Sequence, residues 1–240
     1  MGETGFFMPE GLNLIVSIMQ PTFLPWLGYF NLISRSNVFV FLDNVQFETR
    51  SWQQRNRILV NGESVWITVP VSKPQGSSTL IKDILINFEH FNPKKLSETL
   101  KRAYSKREGF DALIEEVIPL IESTGPFLAE FNEALIVGIS KLLNLEVTFY
   151  KASELKTFGS KSELLESILL NFENARYLSP KGSEVYLNKF NGEFPSGIPI
   201  EYQDFHHPYY DQKRKEFVPF MSIVDAIGNV GISRTSELVR

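Results

Sequence analysis

The sequence predicts an α/β fold: a mostly parallel, Rossmann-like sheet with a β-hairpin and an inserted helical subdomain, all in a single domain over residues 1–240. Three observations predict it. Leu12 to Met19 is a β-branched and aliphatic run and Val38 to Leu42 a continuously apolar one, as parallel strands covered on both faces read. Between them Trp26, Leu27, Phe30 and Ile33 recur at helical spacing, which makes strand, helix and strand a βαβ unit. From Asn92 to Leu143 the apolar spacing stays helical, so residues 92–144 read as a helical insertion or lid within the domain.

Each element has its own signal. The first strand stops at Gln20-Pro21, because proline cannot donate to a central ladder. Pro25 suits the first turn of a helix over Trp26 to Ser36. The strand Val38 to Leu42 closes on Asp43-Asn44. Asn61-Gly62, flanked by Ile58 to Val60 and by Val65 to Val71, is a strong two-residue hairpin signal. Lys73 to Ser78 reads as a Pro/Gly/Ser loop and Leu80 to Asn87 as an edge strand. Asn92-Pro93 supplies an N-cap and a first-turn proline to a helix whose apolar face is Leu96, Leu100, Ala103 and Tyr104. Helices over Asp111 to Glu122 and Pro126 to Leu143 follow, punctuated by Gly109 and Thr124-Gly125-Pro126. Glu146 to Tyr150 restores a strand, and Ser160 to Glu163 has capping-box spacing ahead of a helix bearing Leu164, Leu165, Ile168, Leu169 and Phe172. Ala175 to Ser179 and Ile200 to Phe205 read as the last strands, and Met221 to Ile227 as a terminal helix.

Composition excludes several function classes. With no cysteine, disulfides, thiol nucleophiles and thiolate metal sites are out, and three histidines (His90, His206, His207) leave no imidazole cage. No metal site is expected and no cofactor is singled out. Lys plus Arg number 24 against 28 Asp plus Glu, a net charge of −4 that argues against a general nucleic-acid surface. The apolar runs fall far short of the roughly 18 residues of a membrane span. Met1 to Gly11 lacks the basic start and long apolar core of a signal peptide, so the expectation is a cytoplasmic protein with no integral membrane association.

Four segments carry candidate chemistry. Gln20 to Phe30 joins the first strand to the first helix, where free N–H groups and the positive helix end favour anions. Gln20 and Trp26 are candidates there; Phe23, Trp26 and Phe30 read equally well as core. Next, Asp43, Gln46, Arg50, Trp52, Gln53, Arg55, Asn56 and Arg57 bring three arginines together with a tryptophan and amides. Guanidinium groups grip carboxylate or phosphate bidentately and stack on rings. On a strand, Arg55 and Arg57 would face one way and Trp52, Gln54 and Asn56 the other. The plain alternative is a solvated hairpin with surface ion pairs worth about 0 to 1 kcal/mol each. Asp43, at a strand end, is placed for a ribose hydroxyl, a metal or a catalytic proton. In the third segment, Ser179 to Tyr186, Lys181 and Ser183 could close over phosphate or form a mere turn. In the fourth, adjacent His206 and His207 face opposite ways on an extended chain, against joint chelation; His207 suits a general acid or base, or a structural role, with Tyr210 and Gln212 beside it.

The motifs Gln20-Pro21-x-Phe23-Leu24-Pro25-Trp26-Leu27-Gly28-Tyr29-Phe30, Val40 to Gln46, Arg50-Ser51-Trp52-Gln53-x-Arg55-Asn56-Arg57, His207-Pro208-x-Tyr210-x-Gln212 and Phe217-x-Pro219-x-Met221 to Asp225 together resemble the WbqC-like protein family over almost the whole chain. That resemblance implies a role in bacterial surface polysaccharide (O-antigen) biosynthesis, with glycine (aminoacyl) transfer as the chemistry proposed for the family. A fainter similarity links the chain to nucleotidyltransferase-like α/β proteins, but Trp26-Leu27-Gly28-Tyr29 stands where those carry a His-x-Gly-His motif. The leading expectation is therefore an acyl or aminoacyl transferase acting on an amino sugar or nucleotide-linked sugar. Arg50, Arg55 and Arg57 would hold an anionic small molecule (a nucleotide sugar or activated acyl donor), Trp52 or Trp26 would stack on a ring, and Asp43 or His207 would accept a proton. The rivals are nucleotidyl transfer and a non-catalytic binding or scaffold protein whose helices 92–144 dock a partner.

Overall fold

A computed structural model describes residues 13–240; Leu12 and the segment Met1 to Gly11, on which the expectation of no signal peptide rests, lie outside the described residues. In chain order the elements are β1 (Leu14–Met19), α1 (Leu27–Ser34), β2 (Val38–Phe41), β3 (Arg55–Val60), β4 (Glu63–Thr68), β5 (Val71–Ser72), β6 (Leu85–Ile86), α2 (Pro93–Tyr104), α3 (Phe110–Ala112), α4 (Ile118–Glu122), α5 (Leu128–Leu142), β7 (Thr148–Lys151), α6 (Ser162–Leu169), β8 (Ala175–Ser179), α7 (Glu184–Leu187), β9 (Ile200–Tyr202) and α8 (Ile223–Leu238).

Five strands form one wholly parallel sheet in the order β7-β2-β1-β8-β9. Counting only these strands the order is 3-2-1-4-5, that of a doubly wound Rossmann-like sheet. Alternation assigns the faces. Phe39, Phe41 and Leu178 pack into a core with α1, α5 and α8, while Val16, Ile18, Val38, Val40 and Tyr177 pack beneath α6 and α7. Burial on both faces is the reason β1 and β2 are apolar at every position but Ser17, whose buried hydroxyl donates to the Leu178 carbonyl at 2.8 Å.

The hairpin forms as read: β3 and β4 pair antiparallel around Asn61-Gly62, with Val60 opposite Glu63 and both turn residues at positive φ. β4 ends at Thr68, and the chain turns at Pro70 into β5, which pairs with β6. The edge strand read over Leu80 to Asn87 shrinks to these two residues of β6 behind a 3-10 turn at Ile81–Asp83. Asn92 caps α2, its side chain accepting from the backbone N–H of Lys94 and Lys95 at 3.0 and 3.4 Å. The helix expected over Asp111 to Glu122 is interrupted by a π turn at Leu113–Val117 ahead of Pro119, which has no N–H to give.

The Ser160 capping box does not form. Lys161 stands at φ +52° before α6, and Glu163 N–H donates to the Ser160 carbonyl instead. The terminal helix is longer than read, running Ile223–Leu238 and bending at Gly231, φ +76°. The last strand is shorter, stopping at Tyr202. No helix among the described residues is long and apolar enough to cross a membrane.

Candidate functional site

At the carboxyl edge of the sheet the strand order reverses between β1 and β8, and ligands of open α/β sheets bind outside such a point. Two adjoining cavities lie there, sharing Met19, Thr22 and Trp52 as a common wall. One, of 340 Å³, is completed by Pro25, Trp26, Tyr29, Asn56, Arg57 and Phe220. The other, of 300 Å³, presents Gln20, Glu48, Ser51, Gln53, Tyr177, Ser183 and Tyr186. A third cleft, holding Lys181 and His206, meets the first through Trp26.

The turn from β1 into α1 forms one wall, and it is held tightly. Leu24 sits at φ +42°, a conformation that costs a leucine backbone energy. The Asn56 amide donates to the carbonyls of Phe23 and Leu24 at 3.0 and 2.7 Å, and Ser222 Oγ donates to Leu24 as well. Asn132 ties Pro21 to Gln53, donating to both carbonyls at 3.1 and 2.8 Å. Gln53 Nε2 donates to Gln20 Oε1 at 2.9 Å, and the Gln20 carbonyl accepts from Tyr29 at 3.0 Å. Asn56 and Gln53 thus shape the groove chiefly by fixing its walls.

The arginines meet tryptophans. Arg55 and Arg57 share one face of β3, and Arg57 pairs with Trp66 across the hairpin. The Arg55 guanidinium lies 4.2 Å from the Trp66 ring centroid; that of Arg57 lies 5.7 Å from Trp66 and 5.9 Å from Trp52. The two indoles are 5.4 Å apart, and each is about half exposed. Trp52 was expected on the opposite face. It lies in the turn before β3, closed by the Gln54 N–H on the Ser51 carbonyl at 3.3 Å, which breaks the alternation between Trp52 and Arg55 and leaves the indole on the guanidinium side. Among the described residues neither guanidinium has a carboxylate within 4.0 Å, and Nε of both is buried without a hydrogen-bond partner. A hairpin of surface ion pairs is therefore not what these arginines make. Arg50 is exposed and outside both cavities; its N–H donates to Gln54. Gln46, also exposed, donates to the Ser77 carbonyl.

Trp26 is positioned by a glycine. A Cβ on Gly28 would fall 2.2 Å from the indole, so only glycine lets the ring fold back over α1. His207 stacks on that indole at 5.9 Å, and Phe205 and Phe220 meet it edge-on. His207 Nδ1 lies 2.9 Å from the Pro208 carbonyl, which assigns the proton to Nδ1; Nε2 is buried and has no partner among the described residues. Burial holds its pKa below the ordinary histidine value. Tyr210 and Gln212, predicted beside the substrate, are spent elsewhere. Tyr210 and Tyr104 each donate to the Asp225 carboxylate at 2.7 Å, and Gln212 donates to it at 3.1 Å. Asp225 is fully buried in α8, and burial raises its pKa despite these bonds. The clamp fastens the chain around His207 to α8.

Asp43 lies apart from the arginines and His207. Its carboxylate accepts from the N–H and hydroxyl of Ser153, capping the turn after β7, and it lines a separate 220 Å³ cavity with Glu133 and Lys151. Burial raises the Glu133 pKa against the pull of Lys151, 3.3 Å away. Lys181 pairs with Glu184 at 2.8 Å, and buried Ser183 accepts from Tyr186 at 2.9 Å. Among the described residues no cluster of three or more His, Asp or Glu is arranged to hold a metal.

Thr22, Tyr29, Glu48, Trp66, Tyr186 and Phe220 were not anticipated. One was findable: a two-residue turn at Asn61-Gly62 places residue 66 opposite residue 57. The assembled groove offers the unpaired Arg57 guanidinium, stacking surfaces and hydroxyls along a sheet edge, a set suited to an anionic, ring-bearing small molecule, while Arg55 lies on the same strand face outside both cavities.

Comparison with known proteins agrees with the motifs. The chain is 27% identical over 218 residues to the uncharacterised protein Rv1507c of Mycobacterium tuberculosis (strain ATCC 25618 / H37Rv), an alignment covering 90% of this chain and 94% of that one. The WbqC-like protein family profile matches residues 20–237. The motifs, the matched span and the groove they build lead to one conclusion: the chain belongs to the WbqC-like protein family.

Proposed function

We propose that the protein is a cytoplasmic transferase of bacterial surface polysaccharide (O-antigen) assembly, moving an acyl or aminoacyl (glycyl) group onto an amino sugar or nucleotide-linked sugar. The pathway and the chemistry follow the family resemblance. The observation that carries the ligand class is the Arg57 guanidinium in the wall of the 340 Å³ cavity, free of carboxylates among the described residues, with Arg55 on the same strand face and two half-exposed indoles alongside. The terminal N–H groups of Arg57, which lines the 340 Å³ cavity, are the donors that an anion bound there would take bidentately. In this reading Arg57 and Arg55 hold the charged part, and Trp52 or Trp26 stacks on a ring. His207 lines neither cavity and stacks on Trp26, so in this reading its part is to set that indole. Calorimetry with a panel of sugar nucleotides tests the assignment: Arg57→Ala should weaken binding at least about tenfold, equivalent to roughly 1.4 kcal/mol. Affinities unchanged across the panel in both Arg55→Ala and Arg57→Ala would sink it.

A further inference from the structure

The two cavities that share Trp52 differ in charge. The Arg57 side holds a cation and aromatic rings. The side at the reversal of strand order holds Glu48, two amides and the hydroxyls of Ser51, Ser183 and Tyr186. Among the described residues the Glu48 carboxylate has no Lys, Arg or His within 4.0 Å. The Gln20 amide nitrogen also donates to nothing among the described residues: its oxygen takes the Gln53 hydrogen bond and its own two protons are left over. Ser183 accepts from Tyr186 and keeps its own proton to give. Free amide and hydroxyl donors beside an unpaired carboxylate match a ring of hydroxyls bearing an ammonium group. A phosphate on this side would meet Glu48 as a like charge, whereas on the other it meets Arg57, so the groove sorts two ligands by charge.

We propose that the 300 Å³ cavity is a second ligand subsite that takes a hydroxyl-rich primary amine, an amino sugar by chemical class, with its ammonium against Glu48 and its hydroxyls on Gln20 and Ser183. The anionic ligand occupies the Arg57 side at the same time, across the wall of Met19, Thr22 and Trp52. The subsite rests on the transferase reading for the identity of the neighbouring ligand, and on its own lining for the amine. Glu48 is exposed and its side chain bonds nothing among the described residues, so its replacement should leave the fold intact.

Calorimetry on the full chain tests this with glucosamine, glucose and uridine diphosphate as probes. Glucosamine should bind about tenfold more tightly than glucose, and saturating uridine diphosphate should leave its affinity within about threefold. Glu48→Gln should erase the preference for the amine while uridine diphosphate binds as before, and Arg57→Ala should do the reverse. Equal binding of the two sugars, no binding of glucosamine at millimolar concentration, competition by uridine diphosphate, or an undiminished preference in Glu48→Gln would each overturn the subsite. Glucosamine binding that depends on Glu48, with no uridine diphosphate binding, would uphold the subsite and count instead against the anion assignment above.

Discussion

Single residues divide into those the groove uses and those that hold it open, and Asp225 is the clearest of the second kind. Three buried donors converge on its carboxylate, from Tyr104, Tyr210 and Gln212. Asp225→Ala should therefore cost about 3 kcal/mol or more in urea denaturation, since it strands all three donors, whereas Tyr210→Phe should cost about 1–2 kcal/mol. His207 gives a prediction in pH. Its folded pKa lies below its unfolded value of 6.5, so as pH falls below 6.5 the unfolded chain takes up the proton first, and stability drops until the folded pKa is passed. His207→Phe should lose less melting temperature than the parent between neutral pH and the acid side of that window. A parallel decline in the two proteins would show that the imidazole is solvated. The sequence marked out Arg55, Arg57 and Trp52 by residue type alone. It marked Tyr210, Gln212 and Asp43 equally well, because composition and local position do not show that Asp225 or Ser153 claims them from a distance.

At the scale of elements, legibility followed the range of the interaction. β1, β2 and the hairpin read correctly because their signals, an apolar run and an Asn-Gly turn, lie within the segment itself. The cap of α2 at Asn92 read correctly for the same reason. The Ser160 box failed because Lys161 takes a left-handed conformation, and the extent of α8 was missed because its second half passes through a bend at Gly231. The sheet order was not legible, since β2 and β7 pair across the whole hairpin and helical block. One contact between elements decides how that block sits. Gly109 abuts α8 so closely that a Cβ would fall 1.7 Å from the Ile227 carbonyl, and its N–H donates to Gly228 at 3.1 Å. Gly109→Ala must therefore push α3 off α8, and a loss of about 3 kcal/mol or more is expected in denaturant titration. A loss within about 0.5 kcal/mol, the range for ordinary surface sites, would mean that the two elements separate freely.

For the whole molecule the question is whether residues 92–144 move as a lid. Their side chains argue that they do not. Leu100, Tyr104, Phe131, Leu135 and Ile139 share one buried cluster with Phe39 and Phe41 of the sheet, Ile58 and Ile67 of the hairpin and Ile223 to Ile227 of α8. Removing the block from that cluster would uncover the sheet face that α1, α5 and α8 cover together, at roughly 25 cal/mol for each Å² of apolar surface exposed. The chain offers two probes that would separate if the block left first. Of the three tryptophans Trp26 and Trp52 line the groove and Trp66 packs against Trp52 from the hairpin, so tryptophan fluorescence reports that edge. Far-UV circular dichroism instead weighs the helices, much of which lie in the block. We expect urea transitions followed by the two signals to coincide. A ligand bound in the groove at about one hundred times its Kd should then raise stability by about 2.7 kcal/mol in both signals equally. Helix signal lost ahead of the fluorescence change, or ligand protection confined to the tryptophans, would instead make the block a lid that opens on its own.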